Sequence, residues 1–404
     1  MITFLRRSSS KTLIALSGAL VALVAGGAVV ASGDAGGAGT PPPKPLEQAI
    51  ADSFAGPQIE GVSARIKFTN KLLPSTGFGG KDPLMGGGSG RLWASNNGDV
   101  RIELQSETSG GDVQVVASGD KLWLYHAASN TVYKTTMAPD SKDKADKGAK
   151  MPPTVAAVKR VLRQLGSDAT VSGAVPDNVA GQPAYSTRIE PKANGGLIGG
   201  ADVTWDAANG APLRVAVFAR GQNNPVIAIE ATDVSFGAVD ASVFAITPPA
   251  DAKVEELSPA AQGTNLKKGK KHARPITGLR AAQAVAPFTI SAPAQLAGQK
   301  RSGVMLVGRG AKKSVVVRYG NGLGGITVME SVATKADAPA AATASSKAAK
   351  RDSIQIPTAK IGSAQGMALG TALGSVVSFT RDGVRYVVIG SVTQQDALAA
   401  ARGL

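Results

Sequence analysis

The chain has 404 residues, too many for one ordinary domain. Hydrophobic residues make up 43% of it but aromatics only 4%, so alanine, valine and leucine must build the core, and 49 glycines with 23 prolines favour strands and turns over a helical bundle. The absence of cysteine excludes disulfides, thiol catalysis, iron–sulfur clusters and a cysteine-linked lipid, and a zinc site or serine triad built on histidine would have to use His126 or His272. The net charge of +15 is unevenly placed: residues 46–257 hold 20 basic and 23 acidic side chains, whereas residues 258–404 hold 20 and 5.

Residues 1–11 carry Arg6, Arg7 and Lys11 without an acid, and residues 12–31 then run without a charge. A helix of that length spans ~30 Å, the thickness of a bilayer core. The basic flank stays in the cytoplasm, which puts residues 32–404 outside, as a single-pass membrane protein. A signal peptide cut after Ala31 is the competing reading and would make the chain secreted; both readings export it. Residues 32–45, rich in glycine and proline, are expected to form a flexible tether.

Leu46, Ile50 and Phe54 recur at helical spacing, which predicts a short amphipathic helix over 46–55. Val62, Ala64, Ile66 and Phe68 alternate with polar residues as a strand, whereas 71–90 reads as irregular. Hairpins follow around Asn96–Asp99 and Ser118–Asp120, then a lysine–aspartate loop over 137–153. A second helix begins at Thr154, with Val155, Val158, Leu162 and Leu165 on one side and Lys159, Arg160 and Arg163 on the other. Strands resume at 184–190, 203–206, 213–220, 226–231 and 243–246. About ten strands in an antiparallel meander must curl, and two helices can cover one side.

The string Asp120-Lys121-Leu122-Trp123-Leu124-Tyr125, followed by Asn130-Thr131-Val132-Tyr133-Lys134, resembles a hairpin of the LolA-like carriers. So do Ala180–Tyr185, Trp205-Asp206 with Gly210–Arg214, and Phe236–Asp240 with Phe244, Pro248 and Pro249. That superfamily includes outer-membrane lipoprotein carriers, RseB-like sensors of envelope stress and mycobacterial lipid-carrying lipoproteins. Over about 46–257 the resemblance implies a half-open antiparallel barrel closed by helices around an apolar cavity that takes acyl chains. Two departures matter: without cysteine the chain is not a lipoprotein of the mycobacterial kind, and an anchored chain does not shuttle like the soluble carriers.

Candidates for the cavity wall are Val62, Ile66, Phe68, Val100, Ile102, Leu104, Leu122, Leu124, Val215, Val217, Ile227 and Ile229 on strands, with Leu46, Ile50, Leu162 and Leu165 on helices. The same alternation fits a filled core. Beyond it, 258–275 is a basic linker whose Lys267, Lys268, Lys270, Lys271 and Arg274 suit an anionic membrane surface or a phosphate-bearing wall polymer, or simply solvate the linker. Outside the cell, nucleic acid is not an expected partner. Residues 276–404 read as a smaller α+β domain with strands at 288–290, 304–307, 315–319 and 326–330, an Ala/Ser-rich loop over 331–350, a hairpin around Arg381–Gly383 and a last helix capped by Thr393. Parts of it resemble an envelope module of unassigned function.

Catalytic signals are missing. The run Gly320, Gly322, Gly325 has neither a βαβ unit nor a downstream acid and reads as a turn, His126 has no carboxylate near it in sequence, and Glu255-Glu256 read as surface. The expected fold class is therefore α+β: a half-open antiparallel β-barrel covered by helices, a smaller C-terminal α+β domain, and an N-terminal transmembrane or signal helix. No enzyme activity and no cofactor are expected. The expected partners are a lipid acyl chain or a lipid-modified protein, an anionic surface, and a membrane regulator or transporter; a sensor regulating an anti-sigma factor is the alternative to a carrier.

Overall fold

Alternating apolar residues bounded by Gly, Asn and Asp turns build a protein that is mostly strand. The computed structural model describes residues 39–57, 59–73, 82–106, 111–136, 155–166, 168–192, 195–245, 247–256, 276–308, 310, 313–334 and 357–404. The apolar stretch 12–31, the basic linker and most of the Ala/Ser-rich loop lie outside the described residues, among which no helix is long and apolar enough to cross a membrane.

The first sheet has 13 strands. In chain order they are β1 (Gly61–Asn70), β2 (Gly88–Ser95), β3 (Val100–Ser106), β4 (Asp112–Ser118), β5 (Lys121–His126), β6 (Thr131–Thr136), β7 (Ala169–Val171), β8 (Val175–Val179), β9 (Gln182–Pro191), β10 (Ile198–Asp206), β11 (Pro212–Ala219), β12 (Pro225–Phe236) and β13 (Lys253–Glu256). Their spatial order is β13-β6-β5-β4-β3-β2-β1-β12-β11-β10-β9-β7, with β8 also on β9. The sheet does not close. Its pairings are antiparallel except one: β13 joins β6 in parallel. Helices α1 (Leu46–Ala55), α2 (Pro83–Gly86) and α3 (Val155–Leu165) accompany it.

Three expectations for this half need correction. Residues 71–90 are not wholly irregular: Asp82 accepts a hydrogen bond from Leu84 N, Pro83 starts α2, and β2 begins at Gly88. The strand expected over 243–246 is not formed at 243–245, because Asp240 accepts from Ser242 N and turns Ala241–Phe244 into a 3-10 helix that buries Phe244; residue 246 lies outside the described residues. The described part of the expected tether, 39–45, is docked: Pro41 is buried, Tyr185 Oη donates to Pro42 O (2.7 Å), and Lys44 pairs with Asp52 (2.6 Å).

The second sheet has nine strands. They are β14 (Ile276–Thr277), β15 (Gln295–Leu296), β16 (Gln299–Val307), β17 (Ser314–Tyr319), β18 (Ile326–Val332), β19 (Thr358–Ile361), β20 (Ala364–Thr371), β21 (Gly374–Arg381) and β22 (Val384–Gly390). The order is β14-β16-β17-β18-β22-β21-β20-β19, with β15 on β16. Helices α4 (Leu279–Gln283) and α5 (Gln394–Arg402) lay Ala282, Ala397, Ala400 and Ala401 on a floor that includes Val317, Val328, Val377 and Val388. Thr393 caps α5 by accepting from Asp396 N (3.1 Å), as its sequence predicts. Residues 288–290 are not a strand. The Gln283 side chain satisfies their backbone instead, donating to Phe288 O and accepting from Ile290 N, so that Phe288 and Ile290 reach the core from irregular chain.

One acid lies under this core. Glu330 is fully buried; its Oε2 accepts from Ser291 N (2.9 Å) and its Oε1 has no partner. Burial raises its pKa to about 7, against the smaller opposing effect of the Ser291 hydrogen bond, and pushes the buried Tyr319 hydroxyl up to about 12. A carboxyl whose folded pKa exceeds its unfolded value binds its proton more tightly when folded, so stability falls as pH rises from about 4.5 through about 7. We expect Glu330→Gln to raise the melting midpoint at pH 8, with a gain on the order of 2–3 kcal/mol, and to flatten the decline between pH 5 and 8. Thermal denaturation across that range checks it.

Candidate functional site

Partners across an antiparallel ladder share a face of the sheet. Val62, Ala94 and Val100 stand in one row, Ala64, Leu92 and Ile102 in the next, and Ile66, Gly90 and Leu104 in a third. The rows continue through Val115 to Leu124 and through Ala117 to Leu122. On the other side Phe68 faces Ile229, which faces Val215, while Ile227 faces Val217. All the strand residues expected to form the cavity wall therefore lie on one face. A register shift between β1 and β12 at Arg65/Ile66 leaves this alternation intact.

The helices cover one end of that face. Leu46 and Ile50 of α1 and Leu162 of α3 pack on Tyr185 and Trp205, which face each other from β9 and β10; Leu165, at the end of α3, is half-buried. Ser53 fixes α1 there, accepting from Trp205 Nε1 (3.1 Å) and donating to Ala49 O (2.8 Å), with Ala207 O 3.0 Å from the same hydroxyl. Elsewhere the face divides in two. Ile66, Val100, Ile102, Leu104 and Ile227 are buried, whereas Val62, Phe68, Leu122, Leu124, Val215, Val217 and Ile229 are half-buried. Between them lies a cavity of about 70 Å³ lined by Val62, Ile66, Leu92, Val215, Ile229 and Val234, among others. That is room for a few waters or a short alkyl segment, far less than a complete acyl chain.

Sequence reasoning left His126 without a carboxylate, and the fold supplies one. His126 Nε2 lies 3.3 Å from Asp82 Oδ2, and its Nδ1 lies 3.1 Å from Ser129 Oγ. Asp82 opens α2, whose Leu84 packs on the Ile66–Leu104 cluster and is held from below by Asn70 Nδ2 donating to Leu84 O (2.6 Å). The pair thus ties α2 over the face; forty-odd residues separate its members, so no local spacing could signal it. Among the described residues, no three metal-ligating side chains converge.

A second feature was also invisible in sequence: a seam between the two sheets. Leu197 N donates to Ser391 O (2.9 Å) and lies 3.0 Å from Ser391 Oγ, which itself donates to Leu373 O (2.8 Å) and lies 3.3 Å from Gly195 O. Ala372 N donates to Leu72 O (3.0 Å). Beside these bonds, Leu72, Val226 and Ile227 form a cluster joined by Phe68 from the concave face and by Ala372 and Leu373 from the second sheet. A groove of about 460 Å³ adjoins it, lined by Lys71, Leu197, Arg220 and Ala372 among others. Gly196 sits at the closest approach with φ +61°, and a Cβ there would fall 1.8 Å from Ser391 O. We therefore expect Gly196→Ala to pull the seam apart while each sheet stays folded. Faster backbone hydrogen exchange at 195–197 and 372–373, with unchanged circular dichroism, would show it.

No protein-family model and no curated protein matches the sequence. Among solved structures, the chain is similar to MucB in complex with MucA(peri), with 14% identity over 88% of this chain and 94% of that one and a TM-score of 0.37. The MucA/MucB complex of Pseudomonas aeruginosa aligns over the same shares with 17% identity and a TM-score of 0.37. A LolA superfamily protein from Nitrosomonas europaea aligns over 50% of this chain and 98% of its own, with 7% identity and a TM-score of 0.22. The chain thus has structural similarity to MucB over most of its length and to a LolA superfamily protein over half.

Proposed function

We propose that the chain is an extracytoplasmic, membrane-tethered, non-enzymatic protein that takes an acyl chain or a lipid-modified protein segment on the concave face of its first sheet and reports that state through its second sheet to a membrane partner. An anti-sigma factor is the partner class implied by the RseB-like resemblance. The observation that carries the sensor reading over a simple carrier is the seam cluster. Phe68 and Ile227 belong at once to the concave face and to the contact with Ala372 and Leu373. A carrier has no need of such a joint.

Energetics point the same way. Burial of an acyl chain gains about 0.8 kcal/mol per methylene, but a cavity of about 70 Å³ holds only a short piece of one. Uptake of a longer chain must displace the half-buried side chains Phe68, Val215, Val217 and Ile229, and Phe68 itself, with the neighbouring wall residue Ile227, continues into the seam. Ligand binding and seam geometry are then linked, and a ligand shifts the joint by its differential affinity for the two arrangements. None of this needs a catalytic group.

The full chain is expected to bind a fluorescent fatty acid and, on doing so, to change hydrogen exchange at 372–373. Val217→Asn and Leu124→Asn should each weaken binding about tenfold, a loss of ~1.4 kcal/mol, because both side chains are half-buried and the sheet tolerates the change. Binding without any change at 372–373 would leave a carrier and remove the sensor. A folded chain that takes up no probe would remove both.

A further inference from the structure

Helix α3 has a side that the concave face does not use. Val158 and Leu162 point into the fold, while Ala156, Lys159, Arg160, Val161 and Arg163 are exposed, Val161 at 58%. The helix contains no acid. Glu47 of α1 meets Lys159 at 3.2 Å and partly offsets it, leaving Arg160 and Arg163, and Lys192 joins them by donating to Gly166 O just past the helix end. Asp168 is the acid that follows. An exposed valine among cations on a short amphipathic helix is the pattern of a surface that rests on anionic lipid head groups.

The chain enters the fold close by. Asn178 Nδ2 on β8 donates to Gly39 O (3.3 Å), and Tyr185 Oη holds Pro42, so the segment leading back to residues 12–31 leaves the fold at the β8–β9 edge. Only residues 32–38 intervene, a reach of at most ~25 Å when fully extended. Helix α3 lies at this same edge: Leu162 packs in one cluster with Tyr185 and with Ala174, whose neighbour Val175 is 56% exposed.

We propose that the exposed side of α3, with Arg160, Val161 and Arg163, lies on the anionic surface of the bilayer that holds the N-terminal segment. The proposal rests on the membrane-tethered reading above. It gives the first sheet a fixed orientation, with the β7–β9 edge toward lipid. The cations then act at a short distance from lipid phosphate, where each adds to the attraction.

The absence of cysteine allows a direct test. The full chain carrying Val161→Cys, labelled with a fluorophore, is reconstituted in phosphatidylcholine vesicles with or without 30% phosphatidylglycerol and with a head-group spin label as quencher. Asn97→Cys, at the exposed β2–β3 turn and not on α3, serves as the comparison site, and Ala156→Cys as a second site on α3 should the first variant fold poorly. We expect at least threefold stronger quenching on α3 than at position 97 in the anionic vesicles, and loss of that difference on adding Arg160→Glu and Arg163→Glu. Equal quenching at the two sites, or quenching indifferent to phosphatidylglycerol, overturns the docking surface while leaving the tether in place if the chain floats with the vesicles. A chain that does not float overturns the tether and the docking surface together.

Discussion

The pairing of β1 with β12 is the constraint on which the first sheet depends. Its register runs from Val62 opposite Phe236 to Asn70 opposite Ile227, and it makes the first strand of the sheet a central one. The strands β1–β6 on one side and β9–β12 on the other are two meanders that meet along this line, so the apolar rows of β2–β5 and of β9–β11 come to face one side together. If β12 slipped by one residue, Ile227 and Ile229 would turn to the opposite face and the row that joins β1 to β11 would be broken. The concave face is thus a product of one long-range register more than of any single side chain.

Much of this was legible from the sequence because period-two alternation is a local property. That the residues from Val62 to Ile229 share one face follows from alternation, the packing side of α3 follows from helical spacing, and the cap follows from the threonine at 393. What the sequence did not show depends on contacts between residues far apart. Asp82 and His126 meet only because β5 runs beside β4 and α2 folds over β3. Residues 288–290 looked like a strand because Phe288 and Ile290 alternate, but Gln283 had already satisfied their backbone. The short β13 lacked any alternation to announce it, and its partner β6 could not be inferred from spacing. Whether the wall encloses a ligand is likewise a question of volume, which alternation does not encode.

The two sheets meet at turns rather than faces. Gly195–Leu197 from one and Leu373, Ser391 and Gly324 from the other touch at chain reversals, where glycine lets backbones come within hydrogen-bonding distance. Such a joint concentrates its free energy in a few backbone bonds and one small apolar cluster. A small joint of this kind constrains two bodies less than a broad apolar interface does. Glu330, by comparison, belongs wholly to the second core, where its Oε1 is buried without a partner.

The single parallel pairing, β13 on β6, has a consequence for the molecule's behaviour in company. Without Lys253–Glu256, the strand Thr131–Thr136 would present an open row of backbone donors and acceptors at the end of a long sheet, a template for joining other chains edge to edge. β13 covers that row with a strand that carries Lys253, Glu255 and Glu256, and a charged strand of four residues is a poor template in its turn. The segment between the two sheets therefore begins as a guard against self-association before it becomes a connection.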